Sequence, residues 1–97
     1  MNKKIVDFIK KYYISDLEIK DIVNISPMMD VVSYEEFMEN VSLLVKYGYP
    51  EVDLDVLLLS NPYLFSGSPK DLEKDLRKLK AKYDDIEEIL KQDPTII

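Results

Sequence analysis

The sequence predicts an all-α fold of three tandem helix-pair repeats of about 32–35 residues, stacked as a short α-solenoid. Apolar residues recur at helical spacing. The strings V-N-I-S-P, L-L-S-N-P and L-K-Q-D-P each place an aliphatic residue four positions before a proline, and a shift of 35 residues aligns the first copy with the second without a gap. The units span about 1–32, 33–67 and 68–97 of one domain, 1–97, which is long enough for a single core.

The first unit begins with the string MNKKIVDFIKKYY, which predicts a helix at the N-terminus. Asp7 and the lysines after it leave too short an apolar run for a secretory signal. Ser15 and Glu18 have the spacing of a capping box, so a second helix is expected over about Asp16–Ile25. Pro27 ends that helix, because proline has no backbone N–H and disfavours helical geometry in the residue before it.

The second unit carries the clearest helix signals. Apolar residues at helical spacing predict a long helix over Tyr34–Tyr47, and Ser33 with Glu36 forms its capping box. Gly48 is expected to end this helix in the left-handed conformation that glycine adopts most easily. A short second helix is predicted over Asp53–Ser60, just before the next proline.

The third unit repeats this order with a deletion of three residues. A serine-proline start predicts a helix over Pro69–Tyr83, and a short helix is expected over Asp84–Gln92 before the last proline. Tyr13 occupies the Gly48 position in the first unit, and a tyrosine also occupies it in the third. We therefore predict that the turn between paired helices is not built identically in the three units.

The last two residues, Ile96 and Ile97, are apolar and align with Leu64 and Phe65 of the second unit. Three interpretations stay open at this stage. The isoleucines fold back beneath the last helix, the chain is a piece of a longer protein, or this end is a contact surface. Asp30 stands where Phe65 and Ile97 stand, so the first unit is expected to be the more solvent-tolerant end.

Two helices followed by L-x-x-x-P and aliphatic residues resemble the repeat of the mitochondrial transcription termination factor (mTERF) family. The resemblance implies two helices and a short 3₁₀ helix per unit, stacked into a curved solenoid whose basic concave groove binds nucleic acid. This chain departs from the family in having three units and a net charge of −6. The residues that carry the resemblance are Val23 with Pro27, Leu58 with Pro62, Leu64 and Phe65, and Leu90 with Pro94, Ile96 and Ile97.

Composition argues against most catalytic classes. The chain has no cysteine and no histidine, which removes thiolate nucleophiles, disulfides and the commonest general base, and fits a reducing cytoplasm. No run of 18 apolar residues occurs, so no membrane span is expected. Twelve lysines against one arginine suggest an AT-rich genome and leave a bacterial or mobile-element origin open.

Acidic pairs are the only residues that suggest metal chemistry. Carboxylates this close could bind Mg²⁺, but acidic residues are also expected at helix N-termini, where they cap the helix and complement its dipole. We expect no catalytic residue, no metal and no cofactor, and we rank a carboxylate-dependent hydrolase last. The pairs are Asp53 with Asp55, Asp84 with Asp85, and Glu87 with Glu88.

Two sets of residues are candidates for binding. One is a basic helix face opposite an apolar stripe, suited to phosphate or other anions: Lys70, Lys74, Arg77 and Lys78. The other is a set of apolar and aromatic residues beside the prolines and turns, of the types enriched at protein interfaces: Met28, Tyr49, Tyr63, Ile96 and Ile97.

The first hypothesis for function is a non-catalytic module that binds a protein partner through a groove or face of the stacked repeats. The alternative is a nucleic-acid-binding repeat protein of mTERF type that uses the basic face at 70–78. An isoelectric point near 4.6 opposes the alternative, since nucleic-acid-binding domains are usually basic. No membrane contact is expected, and a homodimer through the apolar C-terminus stays open.

Overall fold

A computed structural model describes residues 1–97 and confirms the all-α class, with no β-strand. Short 3₁₀ helices span Pro27–Asp30 and Glu51–Asp53. None of the helices is both long and apolar enough to cross a membrane. The seven α-helices are α1 (Lys3–Lys10), α2 (Asp16–Ile25), α3 (Tyr34–Lys46), α4 (Leu54–Ser60), α5 (Tyr63–Ser66), α6 (Pro69–Lys82) and α7 (Ile86–Gln92).

Side-chain caps explain where the longer helices begin. Ser15 and Glu18 form a complete capping box, because the serine hydroxyl accepts from Glu18 N at 3.2 Å and the carboxylate accepts from Ser15 N at 3.0 Å. Ser33 accepts from Glu36 N at 3.1 Å. Asp85 caps α7 by accepting from the amide of Glu88, so this helix begins at Ile86 rather than at the predicted Asp84.

The three prolines end the helices before them in the same way. The residues before them, Ser26, Asn61 and Asp93, leave helical geometry with φ of −130°, −148° and −141°. Each still donates its N–H to the carbonyl four positions earlier, at 2.9, 2.7 and 2.8 Å. Proline thus ends each helix without leaving the last backbone amide unpaired.

The turn inside each unit is not built identically in the three units, although the first two share one feature. Tyr13 has a φ of +61° and Gly48 a φ of +113°, so the first two units both use a positive φ at the matching position. Only the third unit differs, since Tyr83 has a φ of −127°. A non-glycine residue at positive φ is uncommon, and no composition signal marked Tyr13 for it.

Two rows of helices pack side by side. The first-helix row consists of α1, α3 and α6, with α3 in contact with both of the others; the second-helix row consists of α2, α4 and α7, with α4 in contact with both of its neighbours. The turn Pro27–Asp30 packs against α5, and α5 packs against α3. The molecule is elongated, with extents of 36 × 23 × 20 Å.

Twenty buried apolar side chains join the rows into one core, with Phe37, Leu44, Phe65 and Leu76 among the fully buried ones. One buried polar residue orders the centre of the chain. Asn40 donates from Nδ2 to the carbonyl oxygens of Phe65 at 3.1 Å and Gly67 at 3.0 Å. These bonds hold the turn between α5 and α6 against α3.

The C-terminal isoleucines fold back onto the third unit. Ile96 and Ile97 are half-buried, pack against the core, and line a cavity of about 290 Å³ together with Leu79 and Tyr83. The structure agrees with the first of the three interpretations, that the isoleucines fold back beneath the last helix. Asp30, at the matching position of the first unit, is exposed.

Candidate interaction surfaces

At least one residue of each acidic pair makes a structural contact in the fold. Asp53 and Glu87 converge on Lys91, whose Nζ lies 2.9 and 2.7 Å from their carboxylate oxygens. These hydrogen bonds, the one to Glu87 first, raise the pKa of Lys91 above its ordinary value. No group of three carboxylates converges on a point where a metal ion could bind. The arrangement ties α7 to the start of α4.

The basic face of α6 brings the four predicted cations together. Lys70, Lys74, Arg77 and Lys78 are exposed and line an open cavity of about 570 Å³, but Asp71 and Glu73 line it as well. The three lysines have no ion-pair partner within the fold.

Arg77 is less free than the lysines beside it. It donates from Nε to the Tyr47 hydroxyl at 3.2 Å, and its guanidinium lies 3.6 Å from Glu73. The hydrogen bond to Tyr47 and the charge of Glu73 raise the pKa of Arg77. An external anion would therefore contact mainly the three lysines of this face.

A groove between α3 and α6 was not anticipated from the sequence. It encloses about 820 Å³, with Tyr34, Met38 and Leu43 providing the apolar part of its lining. Charges of both signs surround them, and Lys4 lies 5.4 Å from the centre of the Tyr34 ring. The mixed charges of this groove select no single class of ligand.

Of the predicted partner-surface residues, the structure exposes two and buries one. Met28 and Tyr63 are more than half exposed, and their short helical segments contact each other. Tyr49 is only 1% exposed, so its assignment to a surface is wrong. The chain folds back after Gly48, where Tyr49 N donates to Leu44 O at 2.9 Å and carries the ring into the core.

Burial also changes the chemistry of the Tyr49 hydroxyl. Desolvation raises its pKa to about 12, although Lys91, 5.9 Å from the ring centre, acts in the opposite direction. No protein group forms a hydrogen bond with this hydroxyl. Tyr49 therefore acts as a core residue with a polar tip, and the sequence offered no signal to distinguish it from exposed Tyr63.

Sequence reasoning missed the most distinctive surface. Val52, Val56 and Leu59 are 78%, 43% and 38% exposed and lie at spacings of four and three residues; we call them the α4 stripe. Val56 and Leu59, three residues apart on α4, lie on one side of that helix, and Val52 lies in the 3₁₀ helix Glu51–Asp53 just before it. The opposite side of α4 is buried through Leu54, Leu57 and Leu58. The core therefore covers one side of α4 and leaves Val56 and Leu59 exposed on the other.

The α4 stripe has no apolar counterpart in the third unit. The matching positions on and before α7 are occupied by Asp84, Glu88 and Lys91, and in the first unit only Leu17 is apolar among Leu17, Asp21 and Asn24. Met28 and Tyr63 lie on short segments that adjoin α4 through α5. Three apolar residues at these matching positions thus occur only in the central unit.

The charged residues next to the α4 stripe in the chain are acidic. Glu51 and Asp55 form no ion pair, and no lysine or arginine occurs between Lys46 and Lys70. The Tyr12 hydroxyl donates to the Glu51 carbonyl oxygen at 2.7 Å. Burial first, and then the charges of Glu51 and Asp55, raise the pKa of Tyr12, which reflects the negative potential at this edge.

Comparison of the chain with models of protein families, with curated proteins and with solved structures finds no match.

Proposed function

We propose that this chain is a non-catalytic module that binds a protein partner, and that its scaffold is a short α-solenoid of three stacked helix pairs. Each helix row places corresponding helices of successive units in contact, as stacking requires. The contacts follow the order of the units along the chain. The helix α3 touches α1 and α6, and the helix α4 touches α2 and α7.

Polar contacts between units support the stacked scaffold. The residue before each of the first two prolines reaches into the following unit: Ser26 Oγ lies 2.9 Å from Ser66 Oγ, and Asn61 Nδ2 donates to Pro94 O at 2.6 Å. Asp93, before the third proline, instead accepts from the amide and hydroxyl of Thr95 within its own turn. The same position thus links successive units wherever a following unit exists in the chain.

The geometry after the prolines supports an mTERF-like origin for the unit. A 3₁₀ helix follows Ser26 and includes Pro27, and one helical turn, α5, follows Pro62. Both pack against neighbouring helices rather than projecting into solvent. A helix pair closed by a proline and one short helical turn is the arrangement that the family resemblance implies.

The α4 stripe is the single observation that carries the protein-binding function. Val56 and Leu59 stay exposed although α4 buries three leucines on its other side, and Val52, in the 3₁₀ helix just before α4, is exposed as well. Scattered exposed apolar residues are normal, but an ordered stripe of them is typical of interaction sites. Met28 and Tyr63 are of residue types enriched at protein interfaces.

A differential capture experiment tests this function. The bait proteins are the wild type, the double variant Val56→Gln/Leu59→Gln, and the matched control Val45→Gln, which changes an exposed valine on α3. We expect a protein retained by the wild type and the control and lost by the double variant. Titration with that purified protein should show at least about a tenfold loss of affinity, or about 1.4 kcal/mol. Identical capture by all three baits would contradict the proposal.

The basic face of α6 supports a second candidate, binding of nucleic acid. Lys70, Lys74 and Lys78 are exposed and unpaired around one open cavity. Fluorescence anisotropy with labelled single-stranded RNA and duplex DNA should show binding that weakens with salt, because each neutralised phosphate releases counterions. Reversal of the three lysines and Arg77 to Glu should abolish it, and unchanged affinity in that variant would eliminate this candidate.

A further inference from the structure

We infer that the partner segment is a basic amphipathic helix that lays its apolar side on the α4 stripe. The inference rests on the proposed function and adds the chemistry of the partner. Three observations support it: the spacing of the stripe, the charges beside it, and the lack of a suitable helix on a second copy of this chain.

The spacing of the residues in the α4 stripe indicates the shape of the partner segment. Val52 in the 3₁₀ helix and Val56 and Leu59 on α4 extend over roughly 11 Å, at rises of about 2.0 and 1.5 Å per residue. Helical ligands recognised by apolar surfaces present anchors at i, i+3 or i+4, and i+7, which matches a stripe of this length. Tyr63 is exposed on α5, the short helix after α4, and Met28 is exposed on the 3₁₀ helix that contacts α5.

The charges next to the α4 stripe indicate the chemistry of the partner segment. Glu51 and Asp55 lie beside the stripe without an ion-pair partner, and the chain from Tyr47 to Pro69 contains no cation. Two cations lie nearby, but both have partners within the fold. Lys91 pairs with Asp53 and Glu87. Lys46, which lines a cavity with Glu51, lies 3.6 Å from Glu73. Lysine or arginine beside the apolar anchors would complement this edge, whereas glutamate or aspartate there would be repelled.

A second copy of this chain lacks such a helix. The most basic helix, α6, buries its apolar residues Leu72, Leu76 and Leu79 in its own core. On α1, Ile5 and Ile9 are buried in the same way. Neither helix presents lysines beside an exposed apolar stripe. The helix α2 exposes Leu17 and Ile25, but its single lysine is accompanied by three acidic residues, so the basic ligand comes from a different protein.

Three synthetic helical peptides test the inference. The basic peptide has leucines at i, i+4 and i+7 with lysines on both flanks, the acidic peptide has glutamates in place of the lysines, and the scrambled peptide has the basic composition without the spacing. We expect the basic peptide to bind at least about tenfold more tightly than the other two by calorimetry. Binding should weaken in 1 M salt, where the Debye length falls to about 3 Å.

Variants assign that binding to the proposed surface. Val56→Gln/Leu59→Gln should abolish binding of the basic peptide, and Val45→Gln should not. Glu51→Gln/Asp55→Asn should weaken it several-fold, whereas Glu35→Gln/Glu39→Gln, on exposed sites of α3, should leave it unchanged. Far-ultraviolet circular dichroism confirms that each variant is folded.

The outcomes separate this inference from the proposed function. Equal affinity for basic and acidic peptides would overturn the basic chemistry and leave the apolar docking surface intact. Equal affinity for patterned and scrambled peptides would overturn both. If no peptide binds while a captured protein still depends on Val56 and Leu59, the inference is wrong and the proposed function stands. Binding of nucleic acid with no peptide binding would favour the α6 face.

Discussion

The side-chain amide of Asn61 donates a hydrogen bond to the carbonyl oxygen of Pro94 at 2.6 Å, and so joins the end of α4 to the turn after α7. The two residues are 33 positions apart, and Asn61 is only 4% exposed. Because the bond is largely buried, removal of its donor leaves a carbonyl without its protein partner. This contact gives the C-terminal turn a fixed position on the central unit.

Replacement of this asparagine should destabilise the whole domain. Asn61→Ala is expected to lower the free energy of unfolding by about 1–3 kcal/mol, because it removes a buried hydrogen bond. Urea denaturation followed by circular dichroism measures the change. Asn24→Ala, at an exposed site near the end of α2, is the control and should change stability by less than about 0.5 kcal/mol. Equal effects of the two substitutions would show that the Pro94 contact contributes nothing.

The two buried hydroxyls at the first junction should be energetically coupled. Ser26 and Ser66 lie 40 residues apart in sequence, and their Oγ atoms are 2.9 Å apart. In a double-mutant cycle with alanine at each position, we expect a coupling energy of about 0.5–1.5 kcal/mol in favour of the wild-type pair. If the effects of the two single substitutions on the free energy of unfolding simply add in urea denaturation, the contact between the two hydroxyls does not contribute to stability.

Glycine at position 13 should stabilise the protein. Tyr13 is 96% exposed and has a φ of +61°, so its side chain gains little from packing while its backbone is strained. Tyr13→Gly is expected to raise the free energy of unfolding by about 0.5–1 kcal/mol, as removal of Cβ relieves a left-handed residue. Tyr83→Gly is the matched control and should destabilise, because Tyr83 has a negative φ and packs on the core. Loss of stability in both variants would contradict the strain argument.

The buried tyrosine should make the fold sensitive to alkali. The pKa of Tyr49 is about 12 in the native state, above the ordinary value near 10. The stability linked to protonated Tyr49 is therefore fully present below pH 10. It falls as pH rises toward about 12, because the unfolded chain releases the Tyr49 proton at a lower pH than the folded protein does. Tyr12, whose pKa is also raised, contributes in the same direction.

Tyr49→Phe tests that linkage. The variant should lose less stability than the wild type between pH 9 and pH 11, and at neutral pH it should be at least as stable, since a buried hydroxyl without a protein partner is removed. Urea midpoints across this range provide the measurement. Tyr63→Phe, at an exposed site, is the control and should follow the wild type. A parallel decline in Tyr49→Phe and the wild type would place the alkaline sensitivity elsewhere.

Helix boundaries could be predicted where local chemistry sets them. Pro27 and Pro62 end α2 and α4 regardless of the rest of the fold, and Ser15 begins α2 through a bond to a residue three positions away. These effects act within one helical turn. A single sequence is therefore enough to locate them.

Features that depend on distant contacts could not be predicted in the same way. Tyr49 and Tyr63 both follow turn residues, yet tertiary packing buries only the first. The α4 stripe was hidden because five of the seven residues of α4 are apolar, and spacing alone does not tell which side a neighbouring helix covers. Asn40 gave a weak signal, since a polar residue occupies the position of Ile5 in the first unit.

The cation-free stretch between Lys46 and Lys70 determines which chemical methods can detect a bound partner. Trypsin releases Tyr47–Lys70 as one peptide that contains all of the α4 stripe and α5. Amine-reactive cross-linkers have no lysine to attack within it, so a cross-link to a protein seated on this surface would have to start from a lysine outside the peptide, such as Lys91 beside Asp53. Carbodiimide coupling through Glu51 or Asp55 would capture that protein, because both carboxylates are unpaired there.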